Sequence, residues 1–210
     1  FLLTFIGGRL TPNFTREFLA GQGKNERPAP FSRFDGLSIA LVLMAALAWT
    51  VQPAASPTGW IFLAAGTLNL VRLLRWYGWL TWREPLVLSL HLGYGWLTLS
   101  MLVLGGALLG IGLAKEDAVH ALTAGAVGAM TLAVMTRASL GHTGRIKHAG
   151  TVTVCMYVLV SLGATLRVFG PGTGLSTNLV LGSAGAAWSG AYLLFALVYG
   201  PYLIRPSLDE

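Results

Sequence analysis

The chain has 210 residues, of which 54% are apolar and only 10% are charged. Soluble globular domains carry about a quarter charged residues, so this composition excludes an ordinary soluble domain. The net charge of +6 does not indicate nucleic-acid binding either, because the basic residues lie in alternate loops between apolar stretches, as they do in membrane proteins.

The first residues, Phe-Leu-Leu-Thr-Phe-Ile-Gly-Gly, are apolar but too few to cross a membrane. They lack both an initial methionine and the basic start of a signal peptide. We therefore expect them to be the end of a helix, and the chain to be the C-terminal part of a longer membrane protein. Residues 9–35 are richer in polar residues, Gly and Pro, and are expected to form a cytoplasmic loop with a short surface helix at residues 14–20.

Six apolar blocks follow, each long enough to cross the hydrocarbon core as a helix, which takes about 20 residues. Strand-like alternation is absent and glycine occurs throughout the blocks, which favours helices over a β-barrel. The sequence predicts an all-α, polytopic transmembrane helical bundle, with about six spanning helices plus the stub of another, in a single transmembrane domain over residues 1–210. The blocks cover residues 36–52, 59–74, 85–113, 118–135, 150–168 and 178–204.

The basic residues predict how this bundle sits in the membrane. All fourteen Lys and Arg residues except Lys115 and Arg167 fall on one side of it. Arg72 is counted on that side, with its neighbours in the second basic loop. The positive-inside rule makes this side cytoplasmic. Because Arg205 follows the last block, the C-terminus is predicted to be cytoplasmic.

Small residues recur four positions apart in three of the blocks. Such stripes let helix backbones approach closely in lipid, so we expect each of them at a contact between helices. The stripes are Gly106 and Gly110; Ala121, Gly125 and Ala129; and Gly182, Ala186 and Gly190.

Four histidines are the chemical candidates. His91 and His120 lie inside apolar blocks, where an ionisable side chain is costly and marks a functional site. A neutral imidazole binds iron, copper or zinc, and haem iron is commonly held by histidine; the alternative is a histidine that only hydrogen-bonds to a neighbouring helix. For His142 the alternative is a lipid phosphate, and His148, next to Lys147, has the most ordinary setting. All four are candidate metal ligands.

Depth decides which histidines could share a metal. With a rise of about 1.5 Å per residue, His91 lies roughly 9 Å inside one face and His120 roughly 6 Å inside the other. In a core about 30 Å thick the two differ in depth by roughly 15 Å, so they cannot ligate one ion through bonds of about 2 Å. His91 and His142 approach the same face and could do so, whereas His120 needs a partner from another segment.

Three further side chains could contribute to a cofactor site. Arg137 and Arg145 flank the Gly-His-Thr-Gly turn after the fourth block; arginine binds carboxylates bidentately, so they could hold haem propionates, or they could be simple cytoplasmic anchors. Tyr94 lies three residues after His91 on the same helical face, where its hydroxyl could bond a ligand or orient the histidine. No catalytic triad, phosphate loop or paired carboxylate site is visible in the sequence.

Three segments of the sequence resemble the NnrS family of bacterial membrane proteins. They are Gly-Gly-Arg-Leu-Thr-Pro-Asn-Phe-Thr-Arg at 7–16, His-Leu-Gly-Tyr-Gly-Trp at 91–96, and the long stretch 120–145, which ends Met-Thr-Arg-Ala-Ser-Leu-Gly-His-Thr-Gly-Arg. The likeness runs over the whole chain, as the C-terminal half of a family member. It implies a haem- and copper-containing inner-membrane protein linked to nitric oxide metabolism, nitrosative stress and denitrification.

By this resemblance His91, His120 and His142 fall on motif positions and become candidate ligands of haem or copper, while His148 lies outside the clearest motif. The expected partners are the lipid bilayer, the N-terminal half of the same protein and a small gas such as nitric oxide, with no nucleic acid. A transporter or channel without a redox cofactor is the alternative from another class. A purely structural partner within the membrane is a third.

Overall fold

The structure, a computed structural model, describes residues 1–208, and every regular element within them is helical. This confirms the prediction of an all-α, polytopic bundle. A π-helical turn at Leu3–Gly7 leads into the first helix, and residues Ala121–Val127 are π-helical within the fifth. The helices are α1 (Gly8–Gly21), α2 (Arg33–Val51), α3 (Ser56–Leu74), α4 (Pro85–Leu108), α5 (Lys115–His142), α6 (Thr151–Phe169) and α7 (Thr177–Leu203).

Helices α2, α4, α5, α6 and α7 are long and apolar enough to cross a membrane, by length and composition. Helix α3 has the same 19 residues as α2, but its sequence includes Asn69 and Arg72, which make it less apolar. Both of these side chains are fully buried, so α3 turns its polar groups toward protein. The helices together indicate a multi-pass membrane protein in which one apolar block carries a polar inner face.

The first helix occupies much of the segment that was expected to be a loop, residues 9–35. Helix α1 covers the first half of that segment, so the connection is limited to residues 22–32. Its inner face is polar and yet buried, with Thr11 and Thr15 at 0% exposure. The predicted surface helix at residues 14–20 is thus the last part of a longer, packed helix. Sequence reasoning missed this because Thr, Gly and Pro on the inner face leave no apolar stripe to detect.

Helix α4 positions the first candidate histidine. It begins at Pro85, a residue that suits the first turn of a helix, and the Glu84 carboxylate caps it by accepting a hydrogen bond from a backbone N–H, at 3.2 Å. It ends at Leu108, before the predicted end at residue 113, and the chain then turns through Gly110 with positive φ. His91 consequently lies in the second turn of α4.

Close approach of backbones holds neighbouring helices together. Helices α3 and α4 meet at Gly59, Gly66 and Gly105, where an added Cβ would lie within 3.0 Å of atoms of the opposite helix or its cap. Helices α6 and α7 meet at Gly163, whose added Cβ would lie 2.8 Å from the backbone nitrogen of Trp188. One apolar core forms among α2–α5 and a second among α5–α7.

Only one of the three predicted small-residue stripes lies at a close helix contact. The stripe that begins at Ala121 is buried, and a Cβ added to Gly125 would lie 2.5 Å from the Trp96 ring. The other two predictions are wrong. Gly110 lies beyond the end of α4, and the third stripe faces away from the bundle, because nothing lies within 4 Å of a Cβ added at Gly182 or Gly190.

Candidate functional site

His91 is the only buried histidine of the four, with 6% of its surface exposed. Its Nε2 lies 2.8 Å from the hydroxyl of Thr15 on α1. That hydroxyl donates its own proton to the carbonyl of Thr11, at 2.7 Å, so it can only accept from the ring. The ring proton therefore sits on Nε2, and Nδ1 is left with a free lone pair.

The Nδ1 atom of His91 is buried and has no hydrogen-bond partner within residues 1–208. Gly78 lies against it, since a Cβ added to that glycine would be 2.5 Å from Nδ1. The glycine begins a short 3-10 turn, which the chain enters through Tyr77 in the left-handed conformation, with φ of 56°. Such a conformation costs a non-glycine residue about 1–3 kcal/mol, so surrounding contacts hold this turn over the histidine.

An apolar groove of about 420 Å³ opens beside His91. An imidazole nitrogen with a bare lone pair is a ligand for iron and copper, and metal-bound histidines donate their other ring N–H to a neighbouring acceptor, as His91 does to Thr15. Nδ1 of His91 therefore suits the donor chemistry of a haem iron or a copper ion, and the atom lies buried against Gly78 at the edge of the groove. The groove is lined by His91 together with Leu73, Leu74, Gly78, Trp79, Leu88, Leu92, Gly95, Trp96 and Leu99.

A buried ionic network, here called the Arg72 cluster, consists of Arg72, Asp35, Tyr94 and Asn69. The fully buried guanidinium of Arg72 donates from Nε to Asp35, at 2.8 Å, and from Nη1 to the Tyr94 hydroxyl, at 2.9 Å. Tyr94 in turn donates to Oδ1 of Asn69, at 2.6 Å. The ring of Trp76 packs on Arg72 and on Tyr94, and makes an edge contact with the His91 ring. The cluster joins α2, α3 and α4 next to the histidine.

The same guanidinium also binds the first helix. Arg72 donates to the carbonyls of Thr4, at 3.2 Å, and Gly8, at 3.4 Å. The Gly8 carbonyl lacks its usual helical donor because the residue four positions later is Pro12, which has no N–H. A Cβ added to Gly8 would lie 2.5 Å from both terminal nitrogens of Arg72, so a glycine is needed for this approach.

The structure corrects two sequence-based expectations here. Arg72 was counted among the cytoplasmic basic residues, whereas its side chain is fully buried and paired with Asp35. The spacing of Asn69 and Arg72, three residues apart within an apolar block, was the signal that could have revealed it. Thr15, not Tyr94, orients His91, because the Tyr94 hydroxyl belongs to the Arg72 cluster.

The other three histidines have separate surroundings. His120 is half-buried, with Nδ1 3.5 Å from the hydroxyl of Thr123. His148 is exposed and its Nδ1 lies 3.2 Å from Glu84. His142 is exposed and lines a different groove from His91, so nothing in the described chain supports a metal shared by these two. Residues 1–208 also contain no group of three or more His, Cys, Asp and Glu side chains that could hold a metal.

The two arginines predicted to hold propionates do not line the His91 groove. The Arg137 guanidinium stacks on the Phe14 ring, 3.8 Å from its centroid, and lies 3.4 Å from Glu17. Arg145 stacks on Tyr202, 4.2 Å from its centroid. They could hold propionates only of a group that extends beyond the His91 groove.

Comparison with known proteins gives one family. The family model described as "NnrS protein" matches residues 1–207, essentially the whole chain. No curated protein and no solved structure matches this chain.

Proposed function

Because this chain belongs to the NnrS family, we propose that it binds haem and copper in the bacterial inner membrane and serves the response to nitric oxide. We propose that it acts in nitrosative stress and in connection with denitrification, as the family resemblance implies. His91 is the principal metal ligand in this proposal. Membership of the family and the multi-helical architecture support the membrane setting.

One observation carries the proposal, the unpartnered Nδ1 of His91. A buried acceptor without a hydrogen bond costs about 1–3 kcal/mol, and an ionisable residue inside a membrane helix is retained for a function. A bound metal ion would use that lone pair directly. Metal binding at Nδ1 is also consistent with a proton on Nε2, which donates a hydrogen bond to the Thr15 hydroxyl, at 2.8 Å.

Each neighbour of His91 has a role in this proposal. A bound haem iron or copper would supply the coordination of nitric oxide. Thr15 holds the ring proton on Nε2 and so makes Nδ1 the ligand atom. Gly78 keeps side-chain atoms away from that nitrogen. The apolar lining of the groove excludes water and admits a small uncharged gas from the lipid.

His120 and His142 are the next candidate ligands, and copper is the metal we propose for them. The His142 ring has no hydrogen bond in the part of the chain that the structure describes, and His120 has only the long contact to Thr123. A copper site at either histidine needs further ligands, and we propose that an N-terminal half of the protein, as expected from the sequence, supplies them. His148 is the weakest candidate because Glu84 already binds it.

The test is the haem and metal content of the purified whole protein, with single alanine variants of the histidines. We expect a haem absorption band that shifts when nitric oxide is added, and we expect His91→Ala to lose it. His148→Ala is the matched control and should keep wild-type content. A His91→Ala protein that retains full haem and copper, with an unchanged nitric oxide shift, contradicts the assignment of His91.

The alternative function is transport without a redox cofactor. A buried charge in a membrane helix can mark an ion pathway, and Asp35 is such a charge. Its carboxylate is already bound by Arg72, at 2.8 Å, and by Arg75, at 3.6 Å, which favours a structural role. A colourless, metal-free protein that moves a solute across vesicles would establish the alternative.

The same proposal places the C-terminus in the cytoplasm. The buried Arg72 no longer counts toward the charge bias, but the remaining basic residues still concentrate on one predicted side. A reporter fused after residue 210 that is active only in the cytoplasm tests this orientation. An inactive reporter with normal protein levels would reverse it.

A further inference from the structure

A second groove runs between helices α1 and α5, away from His91. It consists of two cavities of about 360 and 220 Å³. Leu10 and Val134 line both cavities, so the two lie end to end along the helices. The smaller, inner cavity is lined by apolar residues such as Leu3, Ile6 and Met130, and Thr131 is its one side chain with a polar group.

The length of this groove matches one leaflet of a bilayer. From Met130 to His142 the axis of α5 rises roughly 18 Å, at about 1.5 Å per residue. Half of a hydrocarbon core is about 15 Å thick. A single extended acyl chain can therefore lie along the groove from the interface toward the bilayer centre.

Basic side chains converge at one end of the groove. Arg137, His142 and Lys147 line the outer cavity. Lys147 packs closely against α5 because the residue beneath it is Gly141, whose added Cβ would lie 3.3 Å from the lysine Cε. Within residues 1–208 the side chains of His142 and Lys147 make no hydrogen bond or ion pair, so both remain available to an anion.

Arg137 is held in position at this end. Its guanidinium lies 3.8 Å from the centroid of the Phe14 ring, and its side chain is only 11% exposed. The acidic partner at the mouth is Glu17, which is 66% exposed and 3.4 Å away. Basic pockets between membrane helices on the cytoplasmic side bind anionic lipid headgroups. The predicted orientation puts this end of α5 on that side.

We propose that the α1–α5 groove is a binding site for an anionic phospholipid. The headgroup phosphate binds Arg137 and Lys147, with His142 beside them. One acyl chain occupies the apolar length of the groove. This site is separate from the proposed metal site at His91, because His91 and the Arg72 cluster do not line it. His142 is also a copper candidate, and it is not among the residues that the test below changes.

The test measures lipid retained by the purified whole protein after exposure to equal amounts of phosphatidylglycerol and phosphatidylethanolamine with the same acyl chains. We expect retained phosphatidylglycerol to exceed retained phosphatidylethanolamine in the mass spectrum. Lys147→Gln and Arg137→Gln should each lower phosphatidylglycerol retention about fivefold. Glu17→Gln should raise it, because the competing carboxylate is removed.

Controls separate this site from general attraction between a basic protein and lipid. Arg83→Gln removes an exposed charge outside the groove, where Arg83 stacks on Trp82, and should leave retention unchanged. Leu10→Trp fills the groove and should reduce retention although no charge changes. If Arg137→Gln fails to fold, Lys147→Gln still tests the proposal. This second variant should fold normally because the Lys147 side chain has no hydrogen bond or ion pair to lose.

Three outcomes overturn the proposal. Equal retention of the two lipids shows that headgroup charge is not recognised. An Arg83→Gln loss as large as that of Lys147→Gln shows only diffuse attraction. Displacement of the lipid by inorganic phosphate alone, together with an unaffected Leu10→Trp variant, shows a simple anion site without an acyl chain.

Discussion

Helices α1–α4 and helices α5–α7 are held together by different interactions. In the first region a buried arginine binds groups from three other helices, and His91 bonds across to Thr15 on α1. In the second region the core is apolar, with Gly163 against the α7 backbone. Within residues 1–208 its polar contacts are separate bonds that do not form one network, such as Thr136 with Tyr157, at 2.5 Å, and the partly exposed ion pair of Arg167 with Asp117, at 2.7 Å.

The difference shows where the chain concentrates its buried polar contacts. Charged hydrogen bonds are directional, and a buried network is stable only when every member is satisfied. The Arg72 cluster therefore fixes the relative positions of the four helices around His91 more strictly than apolar contacts could. The second region relies mainly on complementary apolar surfaces and serves as a scaffold. Variants in the two regions should accordingly fail in different ways.

The largest expected effect is that of Arg72→Met. The variant leaves the Asp35 carboxylate buried without its main partner and should lower the free energy of unfolding by about 3–5 kcal/mol. Arg75→Gln is the matched control, since Arg75 is 31% exposed and 3.6 Å from Asp35, and it should cost under about 1 kcal/mol. Denaturant unfolding in mixed micelles measures both. Equal losses for the two variants would show that the first region is not organised by its buried charge.

A smaller effect is expected for Thr15→Val, which removes the acceptor for Nε2 of His91 while keeping the shape of the side chain. Outer hydrogen bonds to metal-bound histidines are worth about 10–100-fold in metal affinity, and we expect a loss of that size. Thr15→Ser should restore binding. Thr67→Val is the control, because Thr67 bonds the carbonyl four residues before it in the same way but is exposed.

The measurement for this variant is a titration of metal-free protein with haem and, separately, with copper. A Thr15→Val protein that binds both as tightly as the wild type would show that the bond to α1 is packing alone. The Thr15–His91 bond would then contribute only to stability, as the packing contacts in α5–α7 are expected to do.

The smallest effect is expected for a packing variant in the second region. Gly163→Ala adds a methyl group 2.8 Å from the backbone of Trp188 and should cost about 1–2 kcal/mol, with haem and copper content unchanged. Gly185→Ala has open space around it and should stay within about 0.5 kcal/mol of the wild type. Thermal unfolding of the two variants measures the stability loss, and their haem and copper content shows whether the site is affected. Loss of cofactor in Gly163→Ala would mean that the scaffold and the site are not separable.

The sequence predicts the second region better than the first. Apolar runs of helical length mark α6 and α7 within a few residues, because those helices need only an apolar exterior. The site is partly predictable too, since a histidine inside an apolar block signals chemistry.

The polar contacts of the first region could not be predicted from sequence. Thr15 and His91 are 76 residues apart, and Asp35 and Arg72 are 37 apart, so neither pair shows in local spacing. A helix with a threonine-rich inner face resembles a loop. Small-residue spacing can mislead in the opposite way. The stripe on α7 has the spacing of a helix contact and yet faces outward, because spacing alone does not say which side of a helix is covered.

In the proposed site, His91 would present a bare Nδ1 to a bound metal. Nitrogen-15 NMR of ring-labelled histidine in the membrane-embedded, metal-free protein tests it most directly, with His91→Ala to assign the signal. We expect the His91 ring to be neutral with its proton on Nε2, and the Nδ1 resonance to shift when haem or copper is added. A proton found on Nδ1, or an Nδ1 resonance that no metal moves, would contradict the account.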